Sequence, residues 1–163
     1  MSDNLNTILT DSLSQNLANT AKNLVAQDMP LSGIHLIEAS AGTGKTYNIT
    51  RIYLRLLLEE KLTVKQILVM TFTKDATEEI KGRIDEFIRS ALNNWQSLCQ
   101  SDDFFISISK TVSDEQAQQR LKQALLFLDE AAIFTIHGFC KNVLTEHAFA
   151  SEVSFNANME TDP

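Results

Sequence analysis

Apolar residues recur along the chain in two spacings, one typical of strands and one typical of helices. Short apolar runs at 34–37, 66–72 and 131–135 predict three β-strands, and the unbroken run in the second is typical of a strand buried on both faces of a parallel sheet. Apolar residues three or four apart predict helices at 44–60, 80–95, 113–128 and 137–149. This alternation predicts βαβ units and therefore an α/β fold with a parallel sheet.

The remaining segments divide the chain into three parts. Residues 1–29 are polar, with a leucine at every fourth position from 5 to 17, which predicts either a weak amphipathic helix or a mobile arm. Residues 30–150 hold the predicted strands and helices, and 151–163 form a polar tail. Within the central part, 30–33 predict a turn before the first strand and 93–112 a connection. Ser113 and Gln116 form a capping box that predicts the start of a helix.

Composition is typical of a soluble globular protein. The chain has 163 residues, of which 44% are hydrophobic and 21% charged, enough for one compact domain. A net charge of −7 argues against nucleic-acid binding by bulk electrostatics alone. Cys99 and Cys140 show no metal-ligand spacing, which predicts reduced thiols. No apolar run is long enough to cross a membrane and no signal peptide is recognisable, so we expect a cytoplasmic protein with no membrane partner.

The strongest chemical pattern lies between the first predicted strand and the first predicted helix. The stretch ASAGTGKT fits the phosphate-binding P-loop pattern except at its first position, where alanine replaces glycine. Its glycines let consecutive N–H groups form a concave nest for phosphate, its lysine supplies a charge for the β- and γ-phosphates, and its threonine hydroxyl can coordinate Mg²⁺. The predicted site for ATP and Mg²⁺ comprises Ala39, Ser40, Ala41, Gly42, Thr43, Gly44, Lys45 and Thr46, with Thr46 as the metal ligand.

A second stretch imitates a magnesium-binding strand. Leu126–Glu130 reads as an apolar run followed by Asp129 and Glu130, as in a Walker B strand. However, Leu121, Leu125 and Leu128 continue the period of the preceding helix, so we interpret the stretch as the end of that helix. The chain is then expected to have no Walker B strand.

Three stretches together resemble a known family. ASAGTGKT at 39–46, TFTKDATEEIKGRI at 71–84 and TIHGFC at 135–140 resemble motifs I, Ia and TxH of the UvrD-like superfamily 1 DNA helicases. The resemblance covers 30–150. It implies a P-loop NTPase (RecA-like) fold, a three-layer α/β/α arrangement with a parallel sheet, of which this chain would hold an incomplete first motor domain.

The resemblance also assigns roles to single residues. Lys45 and Thr46 would bind ATP and Mg²⁺ as the catalytic P-loop residues, and a DNA-binding surface would comprise Thr71, Phe72, Thr73, Thr135 and His137 at the ends of two strands. The Phe72 ring would offer a face for base stacking, although a core aromatic is the alternative. His137 and Cys140 are three residues apart, but two ligands do not make a metal site.

The function implied is ATP-driven unwinding and degradation of double-strand DNA ends in recombinational repair. The partners implied are single-stranded and double-stranded DNA ends and the alpha and gamma chains of an exodeoxyribonuclease. The glutamine motif that recognises adenine is not evident in residues 1–29, and the later helicase and nuclease motifs are absent. We therefore expect an N-terminal fragment that binds nucleotide weakly and does not hydrolyse ATP.

Two other functions are compatible with a P-loop alone. One is a different P-loop enzyme, such as a small-molecule kinase, although TFT and TIHGFC have no role there and no arginine-rich lid is evident. The other is a non-catalytic interaction module that keeps its P-loop only as structure.

Overall fold

The computed structural model describes residues 26–37 and 44–146, so predictions for 1–25, 38–43 and 147–163 lie outside the described residues. The described part is a mostly helical α/β structure with a small parallel sheet. Its elements follow in the order α1 (Lys45–Leu58), β1 (Val69–Thr71), α2 (Lys74–Ser101), α3 (Asp103–Ser109), α4 (Asp114–Leu126), a 3₁₀ turn (Leu128–Glu130), β2 (Ile133–Thr135) and α5 (Ile136–Glu146).

The sheet confirms the second and third predicted strands and their parallel direction, but the first predicted strand does not form. β1 and β2 run parallel, with Val69 opposite Ile133 and Thr71 opposite Thr135. Residues 34–37 are not a strand, and the side chain of Ile34 is fully exposed. A strand needs hydrogen-bonded neighbours, and among the described residues β1 and β2 pair only with each other. The prediction of a strand at 34–37 is therefore wrong for these residues.

The predicted connection at 93–112 is also wrong, because this segment is helical. α2 runs through to Ser101 with one non-helical residue, Asn94, and α3 follows after Asp102, whose side chain accepts from the Phe104 amide. The rings of Phe104 and Phe105 meet edge to face at 5.2 Å in the core. These residues, with Ile108, repeat the helical spacing, and burying them supplies the free energy that keeps the segment ordered.

α4 begins where the capping pattern predicts. The Ser113 hydroxyl accepts from the Gln116 amide at 3.3 Å. All five predicted stripe residues are buried or pack against the core: Ala117, Leu121, Ala124, Leu125 and Leu128. The predicted helix therefore forms, and its end confirms that Leu126–Glu130 is not a strand.

The two faces of the sheet differ in how well they are covered. Ile133 faces the buried core, whereas the next residue, Phe134, points to the opposite face, where the ring of Phe139 in α5 lies 6.4 Å away. Met70 on β1 and Leu68, which directly precedes the strand, remain exposed. The prediction that this strand is buried on both faces is therefore wrong, because the described helices cover one face more fully than the other.

Candidate functional site

Gly44 forms the junction between the P-loop stretch and α1. Its φ of 83° lies in the left-handed region, and it is the N-cap of α1 with no side-chain cap hydrogen bond. A Cβ at this position would lie 3.9 Å from the Tyr47 Cβ, which is ordinary contact. Glycine is thus required by the backbone conformation and not by space. α1 begins directly after this turn. At its N-terminal end, backbone N–H groups and the helix dipole favour an anion.

Lys45 and Thr46 form the first turn of α1, as the P-loop pattern requires. Lys45 is exposed and Thr46 is half-buried. Asn48 fixes this turn, since both its backbone amide and its side-chain amide donate to the Gly44 carbonyl, at 3.0 and 3.1 Å. The other predicted phosphate-binding residues lie outside the described residues: Ala39, Ser40, Ala41, Gly42 and Thr43.

Arg51 stacks on aromatic rings and joins α1 to the start of α3, a contact that the sequence did not predict. The guanidinium carbon of Arg51 lies 3.5 Å from the centre of the Tyr47 ring and 5.1 Å from that of Phe104. The same guanidinium donates to Asp102 at 3.4 Å. Arg51 is almost fully buried, although the apolar pattern of α1 places polar residues outside its stripe. The signal that could have revealed it is an aromatic residue four positions before an arginine on one helix face.

A second buried arginine joins α1 to the segment that precedes the P-loop. Arg55 donates to the carbonyl oxygens of Ala26 at 2.8 Å and Met29 at 2.6 Å. Its Nη2 also donates to Glu59 at 2.8 Å. The guanidinium therefore holds the turn at 26–29 against the helix that follows the P-loop. The buried apolar face of α1 comprises Tyr53, Leu54, Leu57 and Leu58. Ile49, which fits the apolar spacing of this helix, is exposed.

The strand-end surface on β1 comprises Thr71, Phe72 and Thr73. Phe72 is 80% exposed, so the structure does not support the alternative of a core aromatic. The two threonine hydroxyls have partners within the chain, since that of Thr71 lies 2.6 Å from the Thr77 hydroxyl and that of Thr73 accepts from the Ala76 amide at 3.2 Å. Both therefore shape the turn that presents the ring and start α2.

The matching surface on β2 comprises Thr135 and His137. The Thr135 hydroxyl accepts from the Gly138 amide at 3.0 Å, and a Cβ on Gly138 would lie 3.0 Å from that same hydroxyl. His137 is exposed. Because Thr71 and Thr135 are opposite each other in the parallel ladder, the structure brings the two predicted DNA-binding segments to one edge of the sheet.

The imitation of a magnesium-binding strand has a structural explanation. Asp129 and Glu130 lie in the 3₁₀ turn, where Glu130 pairs with Lys65 and Asp129 lies 3.6 Å from Lys81. In the part of the chain that the structure describes, no group of three metal-ligating side chains is present.

Cys99 and Cys140 are free thiols, and burial raises the pKa of Cys99. Within the residues that the structure describes, no helix is long and apolar enough to cross a bilayer.

Comparison with protein families gives one match that covers most of the chain. The model of the UvrD/REP helicase N-terminal domain matches residues 18–162. The matched range includes 38–43 and both strand-end segments. The P-loop stretch and the exposed strand ends thus belong to one matched domain.

Curated relatives carry the same name in different bacteria. The chain is 44% identical over 149 residues to RecBCD enzyme subunit RecB of Haemophilus influenzae, covering 82% of this chain and 12% of that protein. It is 40% identical over 159 residues to RecB of Escherichia coli K12, covering 90% of this chain and 13% of that protein. It is 43% identical over 139 residues to RecB of Buchnera aphidicola subsp. Schizaphis graminum, covering 80% of this chain and 12% of that protein. The chain therefore spans only 12% to 13% of the length of these relatives.

Proposed function

The chain belongs to the UvrD/REP helicase N-terminal domain family, and from this we propose that it is the ATP-binding part of an ATP-dependent DNA helicase and exonuclease subunit. The relatives named RecB support this assignment, as does their description as subunits of a RecBCD enzyme. We propose that the whole protein unwinds and degrades double-strand DNA ends in recombinational repair, in the cytoplasm. Its protein partners would be the other subunits of such an enzyme, corresponding to the expected alpha and gamma chains of an exodeoxyribonuclease V.

The observation that carries the nucleotide proposal is Gly44, left-handed at the start of α1 and followed by Lys45 and Thr46. This geometry fits a P-loop, in which glycine conformation and helix N-terminus together favour phosphate. The fold would then be the P-loop NTPase arrangement, with Ala39 to Thr43 completing the cradle. Lys45 would contact the β- and γ-phosphates, and the Thr46 hydroxyl would help to hold Mg²⁺, which would offset the phosphate charge.

Binding and turnover are separate expectations for this chain. Hydrolysis in P-loop enzymes requires a metal-binding carboxylate, a residue that orients water and often an arginine from across the cleft. Asp129 and Glu130 do not fit these roles, because they are ion-paired in a 3₁₀ turn. We therefore propose that the chain alone binds Mg-ATP weakly and does not hydrolyse it.

The test is calorimetry with Mg-ATP on the chain and on two lysine variants. Lys45→Ala should weaken binding by about 10- to 150-fold, the equivalent of about 1.5–3 kcal/mol for a hydrogen bond to a charged group. Lys74→Ala is the matched control, because Lys74 is also exposed and also the first residue of a helix. It should leave binding unchanged.

Each alternative predicts a different result. Absence of heat with wild type would favour the non-catalytic interaction module, and phosphoryl transfer to a small acceptor would favour a kinase. DNA-stimulated ATP turnover that Lys45→Ala abolishes would contradict the proposal that the chain alone is inactive. Equal loss of binding in both lysine variants would contradict the assignment of Lys45.

A further inference from the structure

A cavity of about 230 Å³ lies between the C-terminal ends of α1 and α4, away from the P-loop end of α1. Its apolar lining includes Leu57, Ala124 and Phe127, and the ring of Phe127 is 39% exposed. Three cationic side chains also line it: Lys61, Lys65 and Arg120. An apolar cavity with a few charged groups at its edge is typical of a binding site.

Two of the three cationic groups have no carboxylate partner among the residues that the structure describes. Lys65 pairs with Glu130, and both side chains are more than half exposed. Among the described residues, neither Lys61 nor the half-buried Arg120 forms an ion pair. The chain as a whole carries a net charge of −7. The cavity lining therefore carries cations and no carboxylate on a chain that is acidic overall, which favours an acidic partner.

The backbone at Lys61 gives an independent indication. Its φ of 59° is the only positive value at a non-glycine residue in the described part of the chain. Lys61 lies three residues beyond the end of α1, in a turn in which the Leu62 amide donates to the Leu56 carbonyl at 3.1 Å. Glycine adopts such a left-handed backbone most readily. A lysine in this conformation strains the backbone, and such strain clusters at functional sites.

The chemistry of the cavity selects among acidic ligands. A bare phosphate would leave the apolar lining of Leu57, Ala124 and Phe127 without a partner. Nucleic acid would require a continuous basic surface, and base stacking uses aromatic rings on an open groove. The apolar lining instead requires a bulky apolar side chain in the cavity, with acidic groups beside it.

We propose that this cavity docks an acidic segment of a partner polypeptide, with one leucine or aromatic side chain in the cavity and flanking carboxylates on Lys61 and Arg120. The occupant is a protein and not DNA. This surface goes beyond the nucleotide and DNA contacts of the proposed function. Its test does not depend on ATP binding, so the two proposals fail separately.

The probe is a fluorescein-labelled twelve-residue peptide with a central Leu-Phe pair flanked by glutamates, titrated with the full chain and followed by anisotropy. Arg120→Glu should weaken binding by about tenfold or more, because it removes a cation and adds a like charge. Phe127→Ser should have an effect of similar size, because it removes the apolar wall. A peptide in which serines replace the Leu-Phe pair should not bind.

Two neighbouring substitutions serve as matched controls. Lys122→Glu makes the same charge change on the exposed side of α4, and Leu126→Ser removes an apolar side chain that is 76% exposed and does not line the cavity. Both should bind the peptide like wild type.

Three results would overturn the proposal. The first is no peptide binding by the wild-type chain up to millimolar concentration. The second is equal weakening by Arg120→Glu and Lys122→Glu, which would show attraction by net charge alone. The third is displacement of the peptide by oligothymidine with the same dependence on Arg120 and Phe127, which would make the occupant nucleic acid.

Discussion

Thr71 and Thr135 are opposite each other at the last position of the parallel β1–β2 ladder. Both hydroxyls are engaged within the chain, Thr71 with Thr77 and Thr135 with the Gly138 amide. The threonines therefore shape the two turns that leave the sheet at one edge. The neighbouring Phe72 is 80% exposed. On this evidence the ring, more than the hydroxyls, would contact DNA.

Replacing Phe72 should reduce affinity for single-stranded DNA without affecting folding. Phe72→Ala should weaken binding of labelled oligothymidine, measured by anisotropy at fixed salt, by about 5- to 150-fold, the equivalent of about 1–3 kcal/mol for one stacked base. The thermal midpoint should not fall, because the ring makes little contact with the core.

A pair of further variants separates stacking from simple apolar contact. Phe72→Trp should retain affinity because it keeps an aromatic face, whereas Phe72→Leu should behave like Phe72→Ala. If the leucine variant binds DNA as well as the tryptophan variant does, base stacking on this residue is excluded.

Arg55 should contribute strongly to stability. Arg55→Met leaves the Ala26 and Met29 carbonyls without their donor and Glu59 without its cation, in a region where these groups are largely buried. We expect the free energy of unfolding, measured in urea, to fall by about 3 kcal/mol.

Arg89→Met provides the comparison. Arg89 forms an ion pair of the same i,i+4 spacing with Asp85 on the exposed surface of α2. Its removal should change stability little, because exposed pairs contribute little. Similar losses in the two variants would contradict the role of Arg55 as a buried clamp.

The sequence correctly predicted those helices and caps that depend on residues close together in the chain. The Ser113 cap, the buried stripe of α4 and the helix after Gly44 all depend on near neighbours in sequence, and all three form. The parallel direction of the second and third strands followed from the βαβ rule. For the candidate site, the sequence placed Thr71 and Thr135 at strand ends, and the ladder brings them together.

Two features of the structure that the sequence did not predict depend on distant parts of the chain. A strand at 34–37 requires a neighbour to accept its hydrogen bonds, and no pattern within those residues can show whether one is present. The cationic side chains of Arg51 and Arg55 interrupt the apolar pattern of α1, yet both are buried because their partners lie far away in sequence, at Asp102, Ala26 and Met29. Hydrophobic periodicity contains no information on such partners.

Lys61→Gly should stabilise the chain. The left-handed backbone at this position costs a residue with a Cβ about 1–2 kcal/mol, part of which the greater flexibility of glycine in the unfolded chain offsets. We expect an increase of about 0.5–1 kcal/mol in the free energy of unfolding by chemical denaturation. Lys61→Ala keeps the Cβ and should give no such increase. Stabilisation of equal size by alanine would show that charge, and not backbone strain, limits stability here.

Tyr53 should make stability depend on alkaline pH. Its hydroxyl is buried with no hydrogen-bond partner among the described residues, and burial raises its pKa from 10.0 to about 12. Below pH 10 the phenol is protonated in both states. Between pH 10 and about 12 only the unfolded chain releases the proton, so the free energy of unfolding falls with rising pH, by at most about 1.4 kcal/mol per pH unit.

Tyr53→Phe removes both the buried hydroxyl and this dependence. At pH 7 it should be neutral or stabilising by up to about 1 kcal/mol, because no hydrogen bond is lost. Between pH 10 and 12 the variant should lose less stability than wild type, as measured by urea unfolding at each pH. Tyr47, the other tyrosine, is 57% exposed, and Tyr47→Phe should keep the wild-type slope. If both variants show the wild-type slope, the Tyr53 phenol does not titrate differently in the two states, since its protonation would then contribute nothing to folding.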